Sequence, residues 1–145
     1  MPSFLASSGV IVDLLAIILK VKVFFTLIFW SLPLLTFPAS WFVRIGMPEP
    51  KPMLFLRLLG AAFLALVVAY TSGLCRLDRG DDVLNIVWVG ITSNGLSSLI
   101  LFLYGIAGAW KEWGPLARSY MWGSALVTAS ITLALVVAGL FRGDH

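Results

Sequence analysis

The sequence has little of what enzymes and metalloproteins use at their sites. It contains one cysteine, one histidine (His145) and seven carboxylates. A single cysteine cannot form an internal disulfide, and no Cys/His cluster has the spacing of a zinc or iron–sulfur site. General acid–base catalysis needs titratable groups that converge in a pocket. We therefore expect no metal site, no haem or other cofactor, and no enzymatic activity.

Charge is also scarce. Charged residues make up 12% of the chain, against about a quarter in soluble domains, whereas 60% of the residues are hydrophobic and the mean hydropathy is +1.00. So much apolar surface cannot be buried in one small core. The composition predicts a multi-pass integral membrane protein, in a plasma or inner membrane, that forms one domain over residues 1–145.

Basic residues exceed acidic ones only slightly, ten to seven. They flank the apolar runs, as membrane anchors do, and they form no face that could reach many phosphates. We expect membrane lipids as partners and no nucleic acid. Counting Lys and Arg on the two sides of the predicted bundle gives a tie, so the distribution of charge predicts no orientation.

Four uncharged stretches are long enough to cross a hydrocarbon core of ~30 Å, which needs roughly 20 apolar residues in a helix. They predict an all-α bundle of four transmembrane helices. Pro33 and Pro38 interrupt the first stretch and should kink it, and an early end of the helix near Leu35 is the alternative to an end near residue 43. The predicted spans cover about residues 23–43, 58–75, 83–110 and 119–141.

Residues 4–19 are apolar but short for a span. Joining them to the next helix would place Lys20 and Lys22 inside the bilayer, at about 2.5–3.5 kcal/mol for each lysine. We therefore expect an interfacial or partly inserted helix over 4–19, with a fifth span as the alternative. Asp13 lies in this segment, and its carboxylate could bind a proton if the segment entered the bilayer. The simpler interpretation places Asp13 in water.

An internal repeat is a further hypothesis. The hexapeptide at residues 64–69, LALVVA, recurs at residues 133–138, and an Arg-Gly-Asp triplet follows each copy. These matches would make the bundle two repeated helical hairpins. The alternative is chance, because membrane helices draw on few residue types.

Small residues at four-residue spacing mark where membrane helices approach closely. The second, third and fourth predicted helices all carry such positions, and we expect these faces to pack together. The candidate packing residues are Ala61, Ala65, Ala69, Gly73, Gly90, Ser124, Thr128 and Thr132.

Polar residues cluster near the middle of the third predicted helix. In one interpretation they line a polar cavity or a permeation path at the bilayer midplane. In the other they bond to one another and to neighbouring helices. The candidate site residues are Thr92, Ser93, Asn94, Ser97 and Ser98.

The run from Trp41 to Pro48, followed by residues 56–66 and Tyr70, resembles a layout of small uncharacterised four-span bacterial membrane proteins. There too a loop with Trp, Arg and Gly-Pro leads into an Arg-x-Leu-Gly helix. The resemblance covers residues 23–75. It implies a four-span fold and no particular activity.

Three functional hypotheses follow. The first is a non-catalytic structural or accessory subunit of a larger membrane complex or homo-oligomer, with Trp41, Trp110 and Trp113 on its partner surface. The second is a small homo-oligomeric channel or carrier with Asn94 at its polar midplane. The third is a lipid- or quinone-binding protein with a groove near Trp88 and Tyr104.

Overall fold

Six α-helices and one π-helical segment follow one another over residues 2–140. The computed structural model describes the backbone of residues 2–140 and the side chains of residues 13–139. Every regular element in this part is helical. The elements are α1 (Pro2–Phe25), the π-helical segment (Thr26–Ser31), α2 (Leu32–Thr36), α3 (Ala39–Arg44), α4 (Met53–Asp78), α5 (Leu84–Ile106) and α6 (Pro115–Leu140).

Four helical stretches are long and apolar enough to cross a membrane, which confirms the predicted four-helix bundle. They run over Asp13–Thr36, Met53–Asp78, Leu84–Ile106 and Pro115–Gly139. The first stretch joins α1, the π-helical segment and α2 in one continuous path, called here the first span. The protein is a multi-pass membrane protein.

The first span lies earlier in the sequence than the predicted 23–43. Residues 4–19 form no separate interfacial helix, because α1 runs from Pro2 to Phe25 without a break. Residues 13–19 belong to the first span, in agreement with the partly inserted alternative. The physical reason is burial: Leu15 and Leu19 are 1% and 0% exposed and pack into the main hydrophobic cluster of the bundle. A helix lying flat in the interface could not make these contacts.

The prolines end the first span. Pro33 has no N–H to bond with the carbonyl of Phe29, which would be its partner in a regular helix. The Tyr120 hydroxyl on α6 donates to that carbonyl instead. The backbone then becomes extended at Phe37 and Pro38, so the helix stops at Thr36, in agreement with the alternative of an early end near Leu35 and not with an end near residue 43.

Arg57 lies inside α4, which begins at Met53, whereas the predicted second span begins only after Arg57, at residue 58. Its guanidinium donates to the Leu34 carbonyl at 2.7 Å and to the Phe37 carbonyl at 2.8 Å. These carbonyls belong to the end of α2, where the helix offers no further donors. A cation there also complements the negative end of the helix dipole.

The bundle consists of two helical hairpins. The first span packs mainly against α4, and α5 packs mainly against α6. Gly60 allows the first of these contacts, because a Cβ there would lie 2.9 Å from Leu35 Cγ. The connections that follow the first span and α5 meet at one end of the bundle, where the Gly114 N–H donates to the Gly46 carbonyl at 2.8 Å.

The hypothesis of a repeat is not supported by helix register. The two LALVVA copies begin at residues 64 and 133, whereas α4 and α6 begin at Met53 and Pro115. The second copy therefore starts about two turns further into its helix than the first. The repeat remains a hypothesis about sequence.

Candidate ligand cavity

A cavity of about 580 Å³ lies between the first span, α4, α5 and α6. This volume falls in the range of about 300–1,000 Å³ that small-molecule sites occupy. The cavity is partly open to the outside. Its lining residues run from the middle of the spans, at Lys22 and Asn94, towards the end of the bundle at which α6 begins and α5 ends, near Tyr120 and Leu101.

Lys22 lies at one end of this cavity, near the middle of the first span, and is 3% exposed. Its ammonium donates to Asn94 Oδ1 on α5 at 2.7 Å. The same nitrogen lies 4.5 Å from the centre of the Tyr70 ring on α4, in the geometry of a cation–π contact. Lys22 therefore connects three helices through one charged group.

Neutral polar groups support this arrangement. The Asn94 amide nitrogen donates to the Gly90 carbonyl at 2.6 Å, which orients the amide oxygen towards Lys22. The Tyr70 hydroxyl and Ser93 Oγ are 2.8 Å apart. Gly90 allows Leu135 on α6 to approach α5 closely beside these contacts, since a Cβ at residue 90 would lie 2.6 Å from Leu135 Cδ1.

Among residues 13–139, no carboxylate forms an ion pair with Lys22. The described residues contain one salt bridge, in which Lys51 Nζ lies 2.8 Å from Glu49 Oε2, and both of these side chains are exposed. A buried cation normally needs a counter-charge or several hydrogen-bond acceptors. Lys22 has one amide oxygen and one ring face, and it adjoins the cavity.

The rest of the cavity wall is mainly apolar, and its far end is aromatic. The Trp30 ring lies 5.5 Å from the Phe63 ring and 5.4 Å from the Tyr120 ring. Phe25 and Phe29 stack at 5.2 Å along the same face of the first span. The cavity is therefore amphipathic, with a polar end at Lys22 and an aromatic end at Trp30.

The five polar residues predicted on the third helix separate into three groups. Ser93, Asn94 and Ser97 line the cavity. Ser98 is buried and donates to the Ala125 carbonyl on α6 at 3.3 Å. Thr92 is exposed. Both interpretations of the cluster thus describe part of it, because some hydroxyls face the cavity and others bond within the bundle.

The predicted packing residues also separate. Gly73 and Gly90 are buried at helix contacts, the first of them against Ile86. Ala69 is half-buried, whereas Ala61 and Ala65 are exposed, since α4 turns its other face to the first span. The three predicted faces therefore do not all meet.

The hydroxyl residues of α6 bond to their own helix. Ser124, Thr128 and Thr132 each donate to the carbonyl one turn earlier, at 2.8 Å. Ser124 and Thr128 also line the cavity. Thr132 lies against α5 near Gly95, where a Cβ would lie 3.6 Å from its methyl carbon.

Other predicted residues lie elsewhere. Asp13 is exposed at the start of the first span and does not line the cavity. Trp88 and Tyr104 are 49% and 61% exposed and do not line this cavity either, so the groove predicted near them stays a prediction. Trp110 is buried against Trp122, which removes it from the predicted partner surface.

Sequence reasoning missed Lys22, Tyr70 and Tyr120. The sequence predicts Lys22 at the lipid headgroups, because its free energy of insertion into the bilayer is taken without a hydrogen-bond acceptor that would offset it. One signal was available: Asn94 is a strong acceptor in the middle of the third span and also needs a partner in lipid.

Comparisons with known proteins return no matching family model, no matching curated protein and no matching solved structure. The function is therefore argued from the cavity.

Proposed function

We propose that this protein binds a lipid-like molecule in the cavity between its spans. The observation that carries the proposal is the position of buried Lys22 at one end of a mainly apolar cavity of about 580 Å³. A molecule with a polar head and an apolar tail matches both ends of such a space. The proposed role is binding and not catalysis.

Two features support a ligand over simple helix packing. The wall is lined by bulky aromatic side chains that leave space between them, whereas close helix packing in membranes uses small residues. Lys22 also adjoins this space, and the hydrogen bond that its ammonium makes to a described side chain is the one to Asn94. A polar headgroup would provide further acceptors for its ammonium.

The test uses a variant that fills the cavity. Gly123 lines the cavity, and a Cβ built there meets no atom within 4 Å. Gly123→Phe should therefore occupy the space without disturbing the helix. Ser130→Phe is the matched control, because Ser130 is exposed on the same helix and does not line the cavity.

The measurement is the lipid and quinone content of each protein after purification in a mild detergent, by mass spectrometry. We expect wild type and Ser130→Phe to retain about one bound amphipathic molecule per chain, and Gly123→Phe to lose it. Equal content in all three proteins would contradict the proposal.

The accessory-subunit and channel hypotheses stay predictions. Native mass spectrometry of the protein from its own membrane tests the first, since a stoichiometric foreign subunit is expected for an accessory role and a homo-oligomer for self-assembly. Flux through reconstituted vesicles tests the second.

A further inference from the structure

We propose that the ligand of the cavity is a long-chain carboxylate, whose headgroup binds to the Lys22 ammonium. This inference rests on the proposed function and adds the charge and class of the ligand. It is argued from the charge balance of the cavity, its hydrogen-bond donors and its shape.

The charges of the side chains that line the cavity favour an anionic ligand. The lining contains one basic side chain, Lys22, and no acidic one. Asn94 and the Tyr70 ring offer Lys22 only partial negative charge. Burying an ammonium without a counter-ion is costly, and a monoanion in the cavity would remove that cost.

The donors fit a carboxylate. An ammonium has three N–H groups, and one of them is bonded to Asn94 Oδ1. The Asn94 amide nitrogen uses one of its two N–H groups for the Gly90 carbonyl, so the ammonium contributes more of the remaining donors at this end of the cavity than the amide does. Thr26, one helical turn after Lys22, brings a hydroxyl to the same part of the lining.

A phosphate headgroup fits less well. Phosphates are typically held by the bidentate fork of arginine or by several donors together. The lining contains no arginine; Arg57 is bonded to the Leu34 and Phe37 carbonyls outside the cavity. One ammonium and neighbouring hydroxyls match a group with one negative charge and two oxygens.

The shape fits a single apolar chain. Lys22 and Trp30 are eight positions apart on the first span, about 12 Å along a helix. The wall between them is formed by apolar side chains such as Phe25 and Leu66. The tail would extend from Lys22 towards the ring cluster of Trp30, Phe63 and Tyr120.

The experiment uses the full chain in nanodiscs of phosphatidylcholine and a palmitate that carries a diazirine in its chain. Photolabelling is read by peptide mass spectrometry. Palmitate and hexadecanol compete for the label, because they share the chain and differ in the charge of the head. Decylubiquinone is the third competitor, as a neutral head with two carbonyl acceptors.

In wild type we expect labelling on cavity residues such as Phe63 and Met121, and palmitate to compete at concentrations at least about tenfold lower than hexadecanol, as expected for a charge-assisted contact. Lys22→Met should bring the two competitors to equal potency, and Lys22→Arg should keep the preference. Lys20→Met is the matched control, since Lys20 is exposed two positions away, and it should behave as wild type.

The outcomes separate the two proposals. If hexadecanol or decylubiquinone competes as well as palmitate in wild type, and Gly123→Phe abolishes labelling, the cavity binds a neutral amphipathic ligand and the carboxylate inference is overturned. If Gly123→Phe is labelled at the same residues as wild type, both proposals fail. The comparison of the three competitors in wild type does not depend on whether any variant folds.

Discussion

Lys22 and Asn94 lie 72 positions apart in sequence and form a buried hydrogen bond of 2.7 Å between the first span and α5. Two other side-chain hydrogen bonds of the described residues join the hairpins: the one between Tyr70 and Ser93, and the one from Tyr120 to the Phe29 carbonyl. This pair therefore links the hairpins and also forms the polar end of the cavity.

Asn94→Leu should destabilise the protein. The substitution leaves the Lys22 ammonium without its amide acceptor, a loss of about 1.5–3 kcal/mol for a hydrogen bond to a charged group. Thermal unfolding in detergent measures the effect. The double variant Lys22→Met with Asn94→Leu should be more stable than Asn94→Leu alone, because it removes the unsatisfied cation. If the two single effects simply add, the hydrogen bond contributes nothing to stability.

Arg57→Ala should loosen the end of the first span. Two carbonyls, those of Leu34 and Phe37, lose their guanidinium donors. Hydrogen exchange followed by mass spectrometry should be faster in peptides that cover residues 33–38. Arg57→Lys should restore only part of the protection, because a lysine lacks the planar fork. Arg44→Ala, at an exposed side chain, should leave exchange unchanged.

Gly60→Val should be far more disruptive than Gly123→Val. A Cβ at residue 60 would lie 2.9 Å from Leu35 Cγ and 3.1 Å from the Leu35 backbone nitrogen, whereas one at residue 123 meets open space. Overpacking of this kind costs typically about 1–3 kcal/mol. Melting temperatures of the purified variants measure the difference. Equal melting temperatures would show that α4 and the first span adjust freely.

Tyr120→Phe should alter the aromatic end of the cavity. The Phe29 carbonyl, deprived of its helical donor by Pro33, would lose the Tyr120 hydroxyl as well. We expect a loss of about 0.5–1.5 kcal/mol in stability, the net contribution of an ordinary hydrogen bond, together with a shift in tryptophan emission from Trp30. Tyr104→Phe is the control at an exposed tyrosine. An unchanged melting temperature for Tyr120→Phe would mean that water or another donor replaces the hydroxyl.

The number of spans was predictable from sequence. The uncharged stretches 83–110 and 119–141 correspond to helices α5 and α6. They were predictable because each charged residue adds its own unfavourable free energy of insertion into lipid. The polar positions Ser93, Asn94 and Ser97 on the third span were also predictable, since they interrupt an apolar run.

The first span and the cavity were not predictable in this way. Lys22 was assigned to the interface because its insertion cost was added without the acceptor that offsets it. That acceptor, Asn94, comes from a different hairpin, and no local pattern indicates which residues of two hairpins will face each other. The same holds for Arg57 and Tyr120, which bond to carbonyls on another helix.

Composition and the lengths of the apolar runs thus determined that this chain crosses a membrane as four helices, because hydrocarbon penalises every exposed polar group. Only the tertiary structure determined which charged side chains lie within the membrane-spanning helices. A buried lysine is tolerated when distant residues such as Asn94 and Tyr70 converge on it, and that convergence exists only once the hairpins have packed.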